Sequence, residues 1–301
     1  MNVAVLLSAY NGGKYLKEQI DSILDQQFDG EIFLFVRDDG SSDNTAEILG
    51  QYAESGRLKC STGENLGAAK SFLYLLKETP DYDFYAFADQ DDVWFKDKIQ
   101  KAIDSIANED RPALYSSNAD LVNEDLSSAG RLVHRHCPKT DLYTVSVEGG
   151  HLGCTMVFNR ELARIVQENP LPDKVIMHDH LIALLCTACG GLIVYDRLPS
   201  MFYRRHGDNV TDISNGVKEI ITSRLNGLKK GKGPGISEQA YSAVTAYSGY
   251  MTENAKRWLE EVAEYKKSVF ERLKLGLSPK TRYQSLSTAF TLRLGIMLGN
   301  K

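Results

Sequence analysis

Phe84-Tyr85-Ala86-Phe87-Ala88-Asp89-Gln90-Asp91-Asp92-Val93-Trp94 joins an apolar pentapeptide to three carboxylates within four positions. A short, continuously apolar run bounded by polar residues predicts a buried strand over 84–88, with the carboxylates at its carboxyl end. Like charges this near raise one another's pKa, and a hard divalent cation with oxygen ligands is the usual means of keeping them ionised. An acidic turn capping the next helix, predicted over 93–108, gives the same pattern. The neighbouring segments decide between the two.

Upstream, residues 2–9 read as a buried strand, and 14–26 as a helix with Tyr15, Leu16, Ile20, Ile23 and Leu24 at helical spacing. Strands at 32–36 and 58–61 alternate with helices over 46–52 and from 67 to 76. This alternation predicts an α/β fold with a mainly parallel sheet and helices on both faces. Ligands of such sheets bind beyond the carboxyl ends of the strands. Ser8-Ala9-Tyr10-Asn11, Asp38-Asp39-Gly40-Ser41 and Asp89-Gln90-Asp91-Asp92 should therefore converge in one cleft. Downstream, 113–117, 154–158 and 191–195 read as strands and 178–189 as a helix. From about Asn209 the character changes, and a Lys/Gly-rich stretch at 229–235 predicts a loop ahead of added helices. The expected division is 1–210 and 211–301.

The 301 residues are 43% hydrophobic and 25% charged, an ordinary globular composition, and a net charge of −5 argues against nucleic acid as a partner. Five cysteines form no framework, and Cys186-x-x-Cys189 lacks the second pair of a zinc site, so packed thiols in a reducing, cytoplasmic compartment are expected. The chain opens into Val3–Leu7 with no basic region or cleavage site, and no apolar run approaches the ~18 residues of a membrane span. Gly-x-Gly-x-x-Gly is missing after the first strand, against a dinucleotide-dependent oxidoreductase. A sugar-nucleotide synthesising enzyme would carry a Gly-rich, Arg- and Lys-bearing loop where this chain has Ser8-Ala9-Tyr10-Asn11-Gly12-Gly13-Lys14.

Seven segments in order carry a family resemblance. They are Ser8-Ala9-Tyr10-Asn11, Arg37-Asp38-Asp39-Gly40-Ser41-Ser42-Asp43, Asn65-Leu66-Gly67, Asp89-Gln90-Asp91-Asp92, Gly153-Cys154-Thr155, His178-Asp179 and Tyr203-Arg204-Arg205-His206-Gly207. Over about residues 1–210 the chain resembles the family 2 glycosyltransferases, inverting enzymes that transfer a sugar from a nucleotide diphosphate. Asp-Gln-Asp-Asp-Val-Trp and the Tyr-Arg-x-His-Gly tail resemble the rhamnosyltransferase-like branch that builds surface polysaccharide. The resemblance implies a GT-A fold with a Rossmann-like sheet and a C-terminal helical extension. It also implies a dTDP-rhamnose or UDP-sugar donor, a glycan or lipid-linked glycan acceptor, and Mn2+ or Mg2+.

Residue by residue, it gives Asp39 the N3–H of a pyrimidine base and Tyr10 the base's face, roles their chemistry suits. An Asp-Gly turn accounts for Asp39 as well. Ser8, Asn65, Gly67 and Lys70 are implied at the nucleotide; a helix cap with a surface lysine is the alternative for the last three. Asp89 is placed near the ribose or the metal's waters, and Asp91 and His206 as metal ligands, a nitrogen ligand favouring manganese. Asp92 either orients the sugar or caps the next helix. Trp94, Gly153, Thr155 and His178 are implied at the donor-sugar or acceptor subsite, Gly153 permitting close backbone approach. Asp179 matches the base that takes the acceptor's proton during inversion. His178 replaces the family's glutamate and either tunes Asp179 or contacts substrate. A non-catalytic relic of the family would not be expected to keep Asp91 and Asp179 together.

Residues 272–301 hold six basic and no acidic residues, against 29 basic and 40 acidic residues before them. Leu286, Phe290, Leu294, Met297 and Leu298 fall on one helical face. Such a segment, 277–301, predicts peripheral contact with an anionic membrane on its inner face, or a helix packed on the catalytic domain or a partner subunit.

Overall fold

The computed structural model describes residues 1–206, 234–284 and 286–300. Its sheet is built outward from β1 (Asn2–Ala9), which pairs in parallel with β2 (Glu31–Asp38) on one side and β4 (Phe84–Ala88) on the other. β3 (Lys59–Thr62) adds in parallel to β2. β1, β2 and β4 are largely apolar without alternation because both their faces are covered, whereas β3, at the edge, is exposed throughout. Val3, Val5, Leu7, Ala86 and Ala88 enter one apolar cluster, and Ala4, Leu6, Tyr85 and Phe87 the other. α1 (Leu16–Leu24) and α2 (Thr45–Glu54) supply side chains to the first cluster, α3 (Ala68–Glu78) to the second.

Beyond β4 the sheet turns mixed. β7 (Ser128–Leu132) pairs antiparallel with β6 (Ala113–Val122), β8 (Val157–Asn159) runs antiparallel between β4 and β6, and β9 (Leu192–Arg204) runs parallel to β6. Two local expectations are corrected here. Val93–Trp94 does not open a helix: it is a short strand, β5, antiparallel to β9, and α4 (Lys98–Ile106) begins four residues later. Pairing with a strand a hundred residues away decides the matter, which no local period reports. The strand expected over 154–158 is split into a 3₁₀ turn, Gly153–Thr155, and β8.

α5 (Leu142–Glu148), α6 (Arg160–Gln167) and α7 (His178–Ala188) cover the face that also receives the C-terminal helices. Those are α8 (Ile236–Tyr247), α9 (Glu253–Glu264), α10 (Val269–Leu277) and α11 (Leu286–Leu298). Tyr247, Trp258, Leu259 and Tyr265 are buried in the same cluster as α7, and the Trp258 indole donates to Ser146 Oγ at 2.8 Å. Thus α8 and α9 complete a core shared with the sheet. The boundary expected at 210/211, the residues 229–233 of the basic loop and Gly207 lie outside the described residues. Among the described residues no helix is long and apolar enough to cross a membrane.

Candidate active site

The carboxyl ends of β1, β2 and β4 meet, as parallel pairing in register requires, and side chains tie them. Gln90, between Asp89 and Asp91, accepts from Tyr10 N at 2.8 Å and donates to Tyr10 O at 3.1 Å. Asn11, in the left-handed region at φ 47°, accepts from Ser42 N at 2.8 Å. Tyr10 is left half exposed at the rim, with its ring available to a flat ligand.

Asp39 is buried. Its two oxygens accept the backbone N–H groups of Leu66 and Gly67, both at 2.9 Å, and it pairs with Arg37. Arg37 also donates to Ser71 Oγ at 3.0 Å, which lies 2.6 Å from Ser8 Oγ. Asp39 therefore locks the Asn65–Gly67 loop to β2 and keeps acceptor capacity for one more donor. Gly67 has φ 76° at the start of α3, a conformation that L side chains rarely adopt, while Asn65 and Lys70 are exposed beside it.

Asp91 Oδ2 lies 2.6 Å from His206 Nε2, joining the β4 loop to the residues after β9. Arg204, at the end of β9, donates through Nε to Asp91 O at 2.9 Å and through its backbone N–H to Asp92 Oδ1 at 3.2 Å. This arginine also pairs with Glu18 and lies over the Tyr15 ring, which is also 5.1 Å from the His206 ring. Two sequence-distant ligand candidates are thus clamped together by one strand end.

Burial, with the charges of Asp91 and Asp179, pushes Asp89 up to about 7. Burial likewise raises Asp92 well above the usual carboxylate range. Beneath both lies Lys98, fully buried, donating to Cys154 O at 3.1 Å and lying 4.3 Å over the Trp94 ring. Desolvation lowers its pKa to about 8 against the pull of Asp92 and Asp89.

Asp179 sits in the first turn of α7. Its Oδ2 accepts from Gly153 N at 3.1 Å and its Oδ1 from His180 N at 2.6 Å. Burial raises it to about 6, with these N–H bonds opposing. His178 is stacked on Phe72 at 4.0 Å and edge-on to Phe87 at 4.8 Å, and neither ring nitrogen has a hydrogen-bond partner. Desolvation lowers its pKa to about 3, so the ring is neutral at physiological pH. A Cβ at Gly153 would lie 2.7 Å from His178 Nε2 and 3.1 Å from Asp179 Cβ. Gly153→Ala is expected to move Asp179 and lower kcat about 100-fold, with the unfolding temperature changed by only a few degrees. Steady-state kinetics and thermal unfolding check this.

Three residues implied at the sugar or acceptor subsite are buried side chains in this structure. Trp94 is buried in β5, held by the pairing with β9. Thr155 is fully buried, its hydroxyl donating to Leu152 O at 2.8 Å and accepting from Ser117 N at 3.2 Å. Asp92 is 1% exposed and binds the Arg204 backbone; it does not cap α4, whose N-cap is Asp97. All three follow from β5 and the 3₁₀ turn, which turn these side chains inward. Lys98 and Ser71 lie outside the quoted motifs, and Arg37 and Gln90 lie inside them with no role assigned. Only Lys98 left a signal, a lysine abutting the apolar face Ile99, Ala102, Ile103 and Ile106.

Two donor sets could hold a cation. Ligand atoms of Asp89, Asp92 and Cys154 lie within 4.8 Å of one another. That set contains a thiol pushed well above its usual pKa by burial, and Lys98 already supplies a cation there. Asp91 with His206 converges at the mouth of the cleft and offers one carboxylate oxygen and one imidazole nitrogen, which suits manganese.

The model for Glycosyl transferase family 2 matches residues 4–164. The chain belongs to glycosyl transferase family 2. A relative from Shigella flexneri, "dTDP-rhamnosyl transferase RfbG", is 31% identical over 67% of this chain and 72% of its own. The Escherichia coli "UDP-Glc:alpha-D-GlcNAc-diphosphoundecaprenol beta-1,3-glucosyltransferase WfgD" is 28% identical over 53% of this chain and 61% of its own. Among solved structures, S. aureus TarS 1-349 in complex with UDP matches at TM-score 0.56 and 17% identity, covering 100% of this chain and 89% of that one. The mannosyltransferase PcManGT from Pyrobaculum calidifontis, in complex with GDP-Man and Mn2+, matches at TM-score 0.52 and 16% identity, covering 99% and 86%. At these identities the structures speak for the GT-A fold alone. As a family 2 glycosyltransferase, the protein carries the acidic loop and Asp179 on one cleft of that fold.

Proposed function

We propose that this glycosyltransferase performs metal-dependent, inverting transfer of a sugar from a pyrimidine nucleotide diphosphate to a glycan or lipid-linked glycan in cell-surface polysaccharide synthesis. The observation that carries the reading is Asp179: a carboxylate with its pKa raised to about 6, held by Gly153 N–H, whose charge reaches Asp89. That proximity suits a base working opposite a diphosphate leaving group. Asp39, Tyr10, Ser8, Asn65, Gly67, Lys70 and Asp89 would hold the nucleotide, with Asp91 and His206 as ligands of Mn2+ or Mg2+. The bound cation would supply Lewis-acid stabilisation of the departing diphosphate. The unsatisfied nitrogens of His178 leave a neutral ring with hydrogen-bonding capacity for a sugar or acceptor hydroxyl, and Gly153 packs against that ring too closely for any side chain.

The 31% identical rhamnosyltransferase relative supports dTDP-rhamnose as donor, and the glucosyltransferase relative supports UDP-glucose as the second candidate. The latter's diphosphoundecaprenol acceptor supports a lipid-linked acceptor here, hence work at the inner face of the membrane.

The test is a panel of dTDP-, UDP- and GDP-sugars with and without Mn2+, read by thermal shift and by slow donor hydrolysis. Stabilisation by the pyrimidine nucleotides and hydrolysis only with metal are expected. Asp91→Asn should weaken Mn2+ affinity by about 100-fold or more. Stabilisation by GDP-sugars alone would refute the base role given to Asp39, and binding without consumption of any donor would leave a binding module.

A further inference from the structure

We infer that α10 and α11 form an antiparallel hairpin whose outer face docks on an anionic phospholipid surface beside the acceptor side of the cleft. Gly276 packs on Met297, and Arg272 on Gly299, so one helix descends as the other rises. The seam therefore consumes Met297, which the sequence reading placed on the apolar face, and buries Leu275 and Ile296. About a quarter turn from that seam, in the same rotational sense on both helices, each exposes an apolar row. In α10 it is Val269, Phe270, Leu273 and Leu277; in α11 it is Phe290, Leu294 and Leu298. For antiparallel helices the same sense puts both rows on one side. Phe270 is 71% and Phe290 73% exposed, and with their neighbours in the two rows they form a contiguous apolar patch rather than single scattered residues.

Charge selects the occupant. Residues 272–301 hold six basic residues and no acidic one, and Lys280 and Arg282 stand exposed on the connector between the helices, 5.7 and 5.8 Å from the Tyr143 ring. Glu271 is the acidic residue within α10, and it lies near Lys274. An exposed apolar face on a segment whose connector carries exposed cations matches the interface of an anionic bilayer.

Position gives the docking a purpose. Gln284, just before α11, donates through Nε2 to Gly149 O at 3.1 Å, and its N–H donates to Glu148 Oε2 at 2.7 Å. Its Oε1 accepts from Lys139 N at 2.7 Å. The hairpin is thus pinned to the loop that runs into Gly153, where Asp179 is held. The purpose, though not the docking itself, rests on the proposed lipid-linked acceptor.

The full chain is sedimented with vesicles of phosphatidylglycerol and phosphatidylcholine, or of phosphatidylcholine alone. Binding to the anionic vesicles, weakened by salt, is expected. Phe270→Ser with Phe290→Ser should lower the partition coefficient tenfold or more, and Lys280→Gln with Arg282→Gln should weaken only the anionic component. Thermal unfolding and donor hydrolysis without vesicles, unchanged in both variants, show that the fold and the transferase survive, so the docking and the transferase readings can fail separately. No sedimentation of the wild type at low salt overturns the docking. Equal binding by the Phe270/Phe290 variant does so too, as does a wild-type dimer without vesicle binding that this variant makes monomeric.

Discussion

Asp179→Asn is expected to lower kcat by about 10²–10⁴-fold, the range a positioned general base contributes, while nucleotide affinity stays at the wild-type value. The base must be ionised to take a proton, and burial raises its pKa to about 6. Wild-type kcat should therefore fall as pH drops through about 6, and the residual activity of the variant should show no such step. Stability runs the other way. A folded pKa above the ordinary 3.8 means that the ionised carboxylate costs stability, fully so above about pH 6 and not at all below the unfolded value. Asn removes that cost but can accept only one of the two N–H groups now given by Gly153 and His180, losing about 1 kcal/mol. The opposed effects should leave the unfolding temperature at pH 8 within a few degrees of wild type. A large fall there would make the lost turnover a folding defect and sink the assignment.

Lys98→Met should produce the largest loss of stability. The ammonium is buried beside Asp89 and Asp92, and removing one partner of a buried charge cluster leaves the others uncompensated, at about 3–5 kcal/mol. In a chain of this size that corresponds to a fall of about 10 °C in unfolding temperature. The sign of its pH dependence follows from the carboxyl groups. Asp89 titrates near 7 and Asp92 well above its usual range, so acid neutralises them and relieves the uncompensated charge. The deficit should therefore be smaller at pH 5.5 than at pH 8. Thermal unfolding of both proteins across this range is the measurement; a deficit that grows toward acid would refute the counter-cation role. A pocket that merely needed filling would show a pH-independent loss.

The apolar runs made β1, β2 and β4 legible, because strands buried on both faces are largely apolar, while β3, exposed throughout, is legible only from its place in the alternation of strands and helices. It also placed Tyr10, Asp39 and Asp91 at strand ends that parallel pairing brings into one cleft. Asp179 and His206 were reached through the resemblance, since nothing local marks a first-turn aspartate or a post-strand histidine as a partner of residues about a hundred positions away. Trp94, Thr155 and Asp92 are buried for one reason: whether a side chain beside a motif is exposed depends on pairing that the motif does not contain. β5 binding β9 and the 3₁₀ turn at Gly153 turn all three inward.

Sequence alone determined the α/β class, the acidic loop after β4 and the basic, apolar character of the last thirty residues, because these rest on periodicity and charge along one stretch of chain. Tertiary structure decided which carboxylate faces outward with His206 and which is buried over Lys98, and it set Asp179 at about 6 rather than at the ordinary 3.8. It also decided which face of α11 is left to the outside. Desolvation and pairing are sums over neighbours brought from distant parts of the chain, so they exist only once the fold has assembled those neighbours.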